Sequence, residues 1–476
     1  MSNASRNRGL SMLELSAFAR RFSRDESGTI TILACFMIFM MVMVCGIGVD
    51  IMRHEMERNR IQSVADRAVL AAADLDQTLD PEAVVRDYFA KSGMSDFVSD
   101  VHITEGLNYR TVTVDARTDM KTQFMDAFGV DHIGVPAMSS AEERVGKVEI
   151  SLVLDISGSM ADNNKMQNLQ DASAVFIDTV LHPSNQGLIS VSLIPYSEHV
   201  NAGPLIFNQL NMNNEHYFSH CIEFEDADFS NTEIDTSRTF WQMQHFQWNY
   251  YSNGHGNTLN TRYDTVCPRR GFERIVSFSQ DPAYLKRQIR KFKPRAGTSI
   301  FMGMKWAAIL LDPTFRPLNT HLINRNRVDD VFAGRPVDYN DADTIKTVIL
   351  MTDGQHDKSF RITANQYNSN SKRVHWNKYN LQYYLLHYVN YRDHDKYYYQ
   401  RYNASHGDTL LYNICDAAKA KGVIIWGIGF EVQDHGAQVM QNCASSPSHF
   451  FRVENTEIHD AFSAIARQIR QLRLTQ

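Results

Sequence analysis

Asp155-Ile-Ser-Gly-Ser159 places one carboxylate and two hydroxyls on five consecutive residues. These are hard oxygen donors of the kind that Mg²⁺ or Mn²⁺ prefers. Two further oxygen-bearing residues occupy matching contexts downstream. Thr298 lies in Ala296-Gly-Thr-Ser299, just ahead of an apolar helical run, and Asp353 follows the apolar stretch Thr347-Val-Ile-Leu-Met-Thr352. Asp155, Ser157, Ser159, Thr298 and Asp353 are therefore the candidate ligands of one divalent cation: Mg²⁺, with Mn²⁺ or Ca²⁺ as alternatives. Two carboxylates would offset its charge and leave room for an acidic group from outside. Taken alone, Asp-x-Ser-x-Ser also reads as a turn entering a helix, with Ser159 as N-cap. No Gly-x-Ser-x-Gly elbow, phosphate loop, dinucleotide fingerprint or His-Glu-x-x-His occurs, so a binding module is expected and not an enzyme. His387 and His394 lack paired zinc spacing and read as scattered, solvated side chains.

The elements around these motifs alternate. Val148–Leu154, Leu188–Tyr196, Thr347–Thr352 and Gly422–Phe430 read as strands. Lys165–Leu181, Asp281–Phe292, Ile300–Leu311, Cys415–Ala420 and Ile458–Leu474 read as helices. Strands alternating with helices predict an α/β fold, a doubly wound and mostly parallel sheet with helices on both faces. In such sheets ligands bind beyond the carboxyl ends of strands, where Asp155 and Asp353 fall. Two inserts, near 199–279 and 355–403, interrupt the plan. The second holds nine tyrosines between Tyr379 and Tyr402. Tyr384, Tyr388 and Tyr391 have helical spacing, which fits packing and surface recognition equally.

The order of these motifs resembles the metal-ion-dependent adhesion site (MIDAS) of von Willebrand factor A (VWA) domains, across residues 147–476. The resemblance implies that Ser157, Ser159 and Thr298 supply hydroxyls and that Asp155 and Asp353 bind directly or through water. It implies capture of an Asp or Glu of another protein through the metal.

The N-terminal third reads differently. Thr29–Val49 is a run of 21 residues without charge, about 31 Å as a helix and close to a bilayer's hydrocarbon thickness. It is apolar on every face, which disfavours a buried core helix, and it is longer than a signal-peptide core. A retained single-pass anchor is expected, with residues 1–28 as a cytoplasmic leader. Five arginines precede the span and four follow, which favours that orientation. Residues 50–476 would lie outside the cytoplasm, a compartment that permits disulfides. Among Cys221, Cys267, Cys415 and Cys443 the natural pairs are the first two and the last two, although four cysteines allow three connectivities. A net charge of −6 argues against nucleic acid as a partner.

Ile61, Val64, Ala65, Ala68, Ala72 and Leu75 continue the helix as an apolar stripe to about residue 75. A short helix near Pro81–Ala90, strands near Val101–Glu105 and Arg110–Arg117, a helix near Lys121–Phe128 and a strand near Ile133–Ser140 complete a small α+β unit over 50–146. A long helix shared between membrane and sheet is pilin-like architecture. Phe22-Ser-Arg-Asp-Glu-Ser-Gly-Thr-Ile-Thr31, Asp50-Ile-Met-Arg53, Ala65-Asp-Arg-Ala-Val-Leu-Ala-Ala-Ala73 and the ending Gln468-Ile-Arg-Gln-Leu-Arg-Leu474 resemble Tad/Flp pilus-assembly proteins of the TadG type. Cys443-Ala-Ser with an upstream Cys415 matches that family too. The residues after Gly28, Thr29-Ile-Thr-Ile-Leu33, lack the Glu of cleaved prepilins, so the anchor is expected to stay. The resemblance implies an inner-membrane pilus-assembly component whose metal face binds pilus or secretion proteins. The alternative is a surface adhesin for host or matrix protein without a pilus role.

Overall fold

The computed structural model describes residues 28–74, 79–105, 109–144, 146–248, 258–261 and 264–474, with Ser16, Arg20, Arg21 and Ser23 besides. Most of the expected leader and Leu75 lie outside these residues. Two compact units divide at residues 143 and 144.

In the first unit, helix α1 (Thr29–Ala73) is one continuous element. Its side chains from Ile30 to Val44 are largely exposed, whereas Ile61, Val64, Ala65, Ala68 and Ala72 are buried. A core helix would be covered along its apolar length. This helix is covered only on its second half, and it is the one described helix long and apolar enough to cross a membrane. Helix α2 (Pro81–Lys91) is capped by Asp80, whose carboxylate accepts the Ala83 N–H. Strands β1 (Val98–Glu105), β2 (Tyr109–Lys121) and β3 (His132–Arg144) form a three-stranded sheet in that order. Val112, Val114 and Val135 pack with the α1 stripe and with Val85 and Phe89 of α2. The helix expected near Lys121–Phe128 is not formed. β2 runs through Lys121, and Met125–Phe128 is a short 3-10 turn ended by Gly129 at φ 81°. The cause is tertiary: the Asp50 carboxylate of α1 accepts the N–H groups of Gln123, Phe124 and Met125.

In the second unit β4 (Lys147–Asp155) leads through the Asp155–Ser159 loop to α3 (Lys165–Val180) and β5 (Ile189–Tyr196). The first insert carries a small sheet of β6 (Asn211–Asn213), β7 (Ile222–Glu223) and β8 (Thr239–Gln242). It returns to the main sheet as β9 (Val276–Ser279), antiparallel to β5. Helices α4 (Pro282–Ile289) and α5 (Ile300–Ile309) and strand β10 (Thr344–Thr352) follow. The second insert opens with β11 (Ser359–Ile362) and closes with β12 (Tyr398–Tyr402), its antiparallel partner. The chain ends with α6 (Ala404–Ala420), β13 (Ile424–Phe430), α7 (Asp434–Cys443), β14 (Phe450–Val453) and α8 (Glu457–Leu474).

The main sheet has the order β14-β13-β10-β4-β5-β9. Every pairing is parallel except β5 with the edge strand β9. Val148 to Asp155 and all of β5 are buried, so both faces are covered, as near-continuous apolar strands require. Gly303 sets how closely α5 lies on the sheet: a Cβ there would meet Val153 at 2.8 Å and Tyr196 at 2.9 Å. The expected helices Asp281–Phe292 and Ile300–Leu311 are shorter at their ends, Asp281 serving as the N-cap of α4.

The two inserts form one body. Met243, Phe246 and Val266 of the first pack with Ile362, Trp376, Leu381 and Leu385 of the second. Arg361 bonds both oxygens of Glu223 at 2.9 Å, and Gln244 exchanges two bonds with Ile362. Disulfides join Cys221 to Cys267 within this body and Cys415 of α6 to Cys443 of α7. The tyrosine stripe is split. Tyr384 packs on Trp376 and Tyr397, while Tyr388 and Tyr391 are exposed. The helix Leu381–Tyr388 ends before Asn390 caps a new turn, which breaks the helical spacing to Tyr391.

Candidate metal centre

Parallel pairing of β4 with β10 brings their carboxyl ends side by side. Asp155 ends β4 and Asp353 directly follows β10. Between them runs a chain of hydrogen bonds. Ser157 Oγ lies 3.1 Å from Ser159 Oγ, and Ser159 Oγ donates to Asp353 Oδ1 at 2.7 Å. The loop is folded on its own carboxylate, for Ser157 N–H donates to Asp155 Oδ1 at 2.7 Å. Ser159 is not an N-cap of α3, whose N-cap is Asn164.

The Thr298 loop is tied to the same place through the main chain. Gly158 N–H donates to Ala296 O at 3.1 Å and Arg295 N–H to Ile156 O at 2.9 Å. Thr298 itself exchanges bonds with Asp357: its N–H reaches Asp357 Oδ2 at 3.2 Å, and its carbonyl accepts the Asp357 N–H at 2.9 Å. Arg295 is fully buried and faces Glu273 at 3.3 Å, which fixes the base of this loop. Of the five predicted residues, Asp155, Ser157, Ser159 and Asp353 thus share one hydrogen-bonded group. Thr298 is tied to it through the main chain of its own loop, by the Gly158–Ala296 and Arg295–Ile156 bonds.

Four further residues shape the site. Tyr196 Oη donates to Asp155 Oδ2 at 3.1 Å and Thr352 Oγ1 to the same oxygen at 2.8 Å. Lys165, the first residue of α3, donates to Asp353 Oδ2 at 3.1 Å and stands 3.8 Å from Glu431 at the end of β13. Asp357 is the fourth. The signals for Thr352 and Asp357 were their proximity in sequence to Asp353. Lys165 and Tyr196 carry no local signal.

Asp155, Ser157, Thr298 and Asp353 are buried, whereas Gly158 and Ser159 are half-exposed and form the open edge. Burial, reinforced by the charge of Asp353, pushes the Asp155 carboxyl up to about 7. Burial also raises Asp353, against the opposing pull of Ser159 and Lys165. Two buried carboxylates that resist ionising together are what a cation would relieve. Among the described residues no three His, Cys, Asp or Glu side chains converge as a ligand group. The serine hydroxyls are therefore needed to complete a donor set, and that set is all oxygen. It fits a hard divalent cation. His387 is exposed, and His394 is half-buried with its ring nitrogen against the Leu385 and Val389 carbonyls.

Residues 28–75 match the Tad family model, described as Flp pilus-assembly TadE/G-like. No curated protein matches the sequence. Among solved structures, the vWF domain of the type V pili tip protein Mfa5 from Porphyromonas gingivalis is similar at 15% identity and TM-score 0.35, covering 69% of this chain and 97% of that one. The pilus adhesin RrgA from Streptococcus pneumoniae is similar at 12% identity and TM-score 0.35, over 78% of this chain and 49% of that one. The pilus adhesin SpaC from Lactobacillus rhamnosus GG is similar at 14% identity and TM-score 0.34, over 79% of this chain and 34% of its own. Scores this low leave the reading to the geometry of the chain itself.

Proposed function

We propose that this protein is a membrane-anchored component of a Tad/Flp pilus apparatus, and that its second unit is a VWA domain of the MIDAS type. It binds partner proteins and is not an enzyme. The observation that carries the reading is the convergence of Asp155, Ser157, Ser159 and Asp353 at the carboxyl ends of two adjacent parallel strands. The match of residues 28–75 to the Tad model supports the pilus setting. The exposed apolar half of α1 supports single-pass anchoring in the inner membrane. Disulfides Cys221–Cys267 and Cys415–Cys443 suit an oxidising compartment, so residues 50–476 belong outside the cytoplasm.

Asp155, Ser157, Ser159, Thr298 and Asp353 would hold the cation, Mg²⁺ first, with Mn²⁺ or Ca²⁺ as alternatives. Bound there, it supplies a Lewis-acid position for a partner's carboxylate oxygen. Asp155 is oriented by Tyr196, Thr352 and its own loop N–H. Ser159, on the open edge, gives the approach. Lys165 offsets part of the local negative charge. The test is a pull-down with the full chain as bait, with and without chelator, beside Asp353→Asn. Loss of the same pilus or secretion proteins under chelation and in the variant is expected. An unchanged set of partners in both would overturn the reading.

A further inference from the structure

Asp50 is the first charged residue after the apolar run, and it is wholly buried although it belongs to α1. Its Oδ2 accepts the N–H groups of Phe124 at 2.8 Å and Met125 at 2.9 Å, and Oδ1 accepts that of Gln123 at 3.0 Å. One turn earlier, the Phe124 ring lies directly on Gly46, where an added Cβ would come within 2.3 Å of it. Gly46 lies inside the apolar run, about 4.5 Å along the helix axis before its last residue, Val49. The loop from Thr122 to Asp131 is therefore fixed at the height where the span ends.

That loop presents apolar side chains outward. Phe128 is 61% exposed and Val130 is 37% exposed. At the same level of α1, Val49, Ile51 and Met52 are exposed as well. The loop is attached where the exposed apolar part of α1 ends, so its occupant follows from its place. We propose that loop 122–131 rests in the interfacial layer of the bilayer, with Phe128 at the boundary of the acyl chains. Aromatic side chains favour that depth. Asp126 and Asp131, on the same loop, keep it from sinking further. Asp50 and Gly46 are the positioning residues: together they convert a single-helix anchor into two contacts that set the small sheet's height on the membrane.

The inference rests on residues 29–49 being the membrane span, and the test separates the two. The full chain, with Cys35→Ser and Cys45→Ser, is reconstituted in phosphatidylcholine and phosphatidylglycerol vesicles. A nitroxide is attached at Phe128→Cys, at Val42→Cys in the span, or at His102→Cys on β1 as the aqueous reference. Collisional access to oxygen and to a water-soluble nickel chelate reports depth. The expected ratio of oxygen to nickel access at 128 lies several-fold above that at 102 and below that at 42. A value at 128 equal to that at 102, with 42 still lipid-like, overturns the loop inference and spares the anchor. Aqueous values at all three sites overturn both.

Discussion

Lys165 Nζ lies 3.1 Å from Asp353 Oδ2, on the same carboxylate whose Oδ1 accepts the Ser159 hydroxyl at 2.7 Å. An ammonium therefore stands at the candidate cation site. It lowers the local negative potential and competes with any divalent ion for Asp353.

Replacing it should tighten metal binding. Lys165→Met is expected to raise Mg²⁺ affinity about tenfold or more, roughly 1.4 kcal/mol. Isothermal titration of the full chain in detergent reads this directly. Unchanged or weaker binding would show that Lys165 does not compete.

Asp155 needs two substitutions to separate binding from folding. Its carboxylate accepts from Ser157 N–H, Tyr196 Oη and Thr352 Oγ1. Asp155→Ala leaves these donors without it, and should lower stability by about 1–3 kcal/mol, partly offset by removal of a buried charge. Asp155→Asn keeps an acceptor and removes the charge, so it should lose the cation while melting near the wild type. Melting curves followed by circular dichroism distinguish the two variants.

The pH dependence has a defined sign. Asp155 titrates near 7 when folded, well above its ordinary value near 4. Such a group contributes stability that is complete at low pH and is lost as pH rises through about 7. A bound divalent cation opposes that loss. The gain in Tm on adding Mg²⁺ should therefore widen between pH 5 and pH 7.5, by at least a few °C. Buried His199, His216, His245 and His356 act in the opposite direction, since burial lowers each pKa and favours the neutral ring. The difference with and without Mg²⁺ isolates the site, and Tm alone does not. A gain that shrinks with pH would contradict this.

Both disulfides belong to the second unit. Cys221–Cys267 closes a separation of 46 residues and Cys415–Cys443 one of 28. Loop-closure entropy gives about 3–4.5 kcal/mol for each as an upper estimate. Calorimetry with a phosphine reductant should show the second unit melting lower. An unmoved transition after complete alkylation of the freed thiols would refute the estimate.

Local pattern carried much of this fold. Buried strands such as Val148–Leu154 and Thr347–Thr352 announce themselves by continuous apolar residues, and carboxylates at their ends are legible with them. The α1 stripe from Ile61 to Ala72 was legible because helical period and burial coincide. What could not be read depends on distant partners. The turn at Met125–Phe128 resembles a helix start in sequence, but Asp50, more than seventy residues upstream, takes its donors. Lys165 reads as an ordinary first-turn residue until β10 places Asp353 beside it. The two inserts lie far apart in sequence, and it is the shared core of Met243, Phe246, Trp376 and Leu381, with the bonds of Arg361 and Gln244, that joins them.

Manganese binding tests the cation assignment most directly. Mn²⁺ is titrated into the full chain in detergent and followed by electron paramagnetic resonance, for the wild type, Asp155→Asn and Asp353→Asn. One saturable site in the wild type that disappears in both variants is expected. Equal Mn²⁺ affinity in all three folded proteins would contradict a cation centre at Asp155 and Asp353.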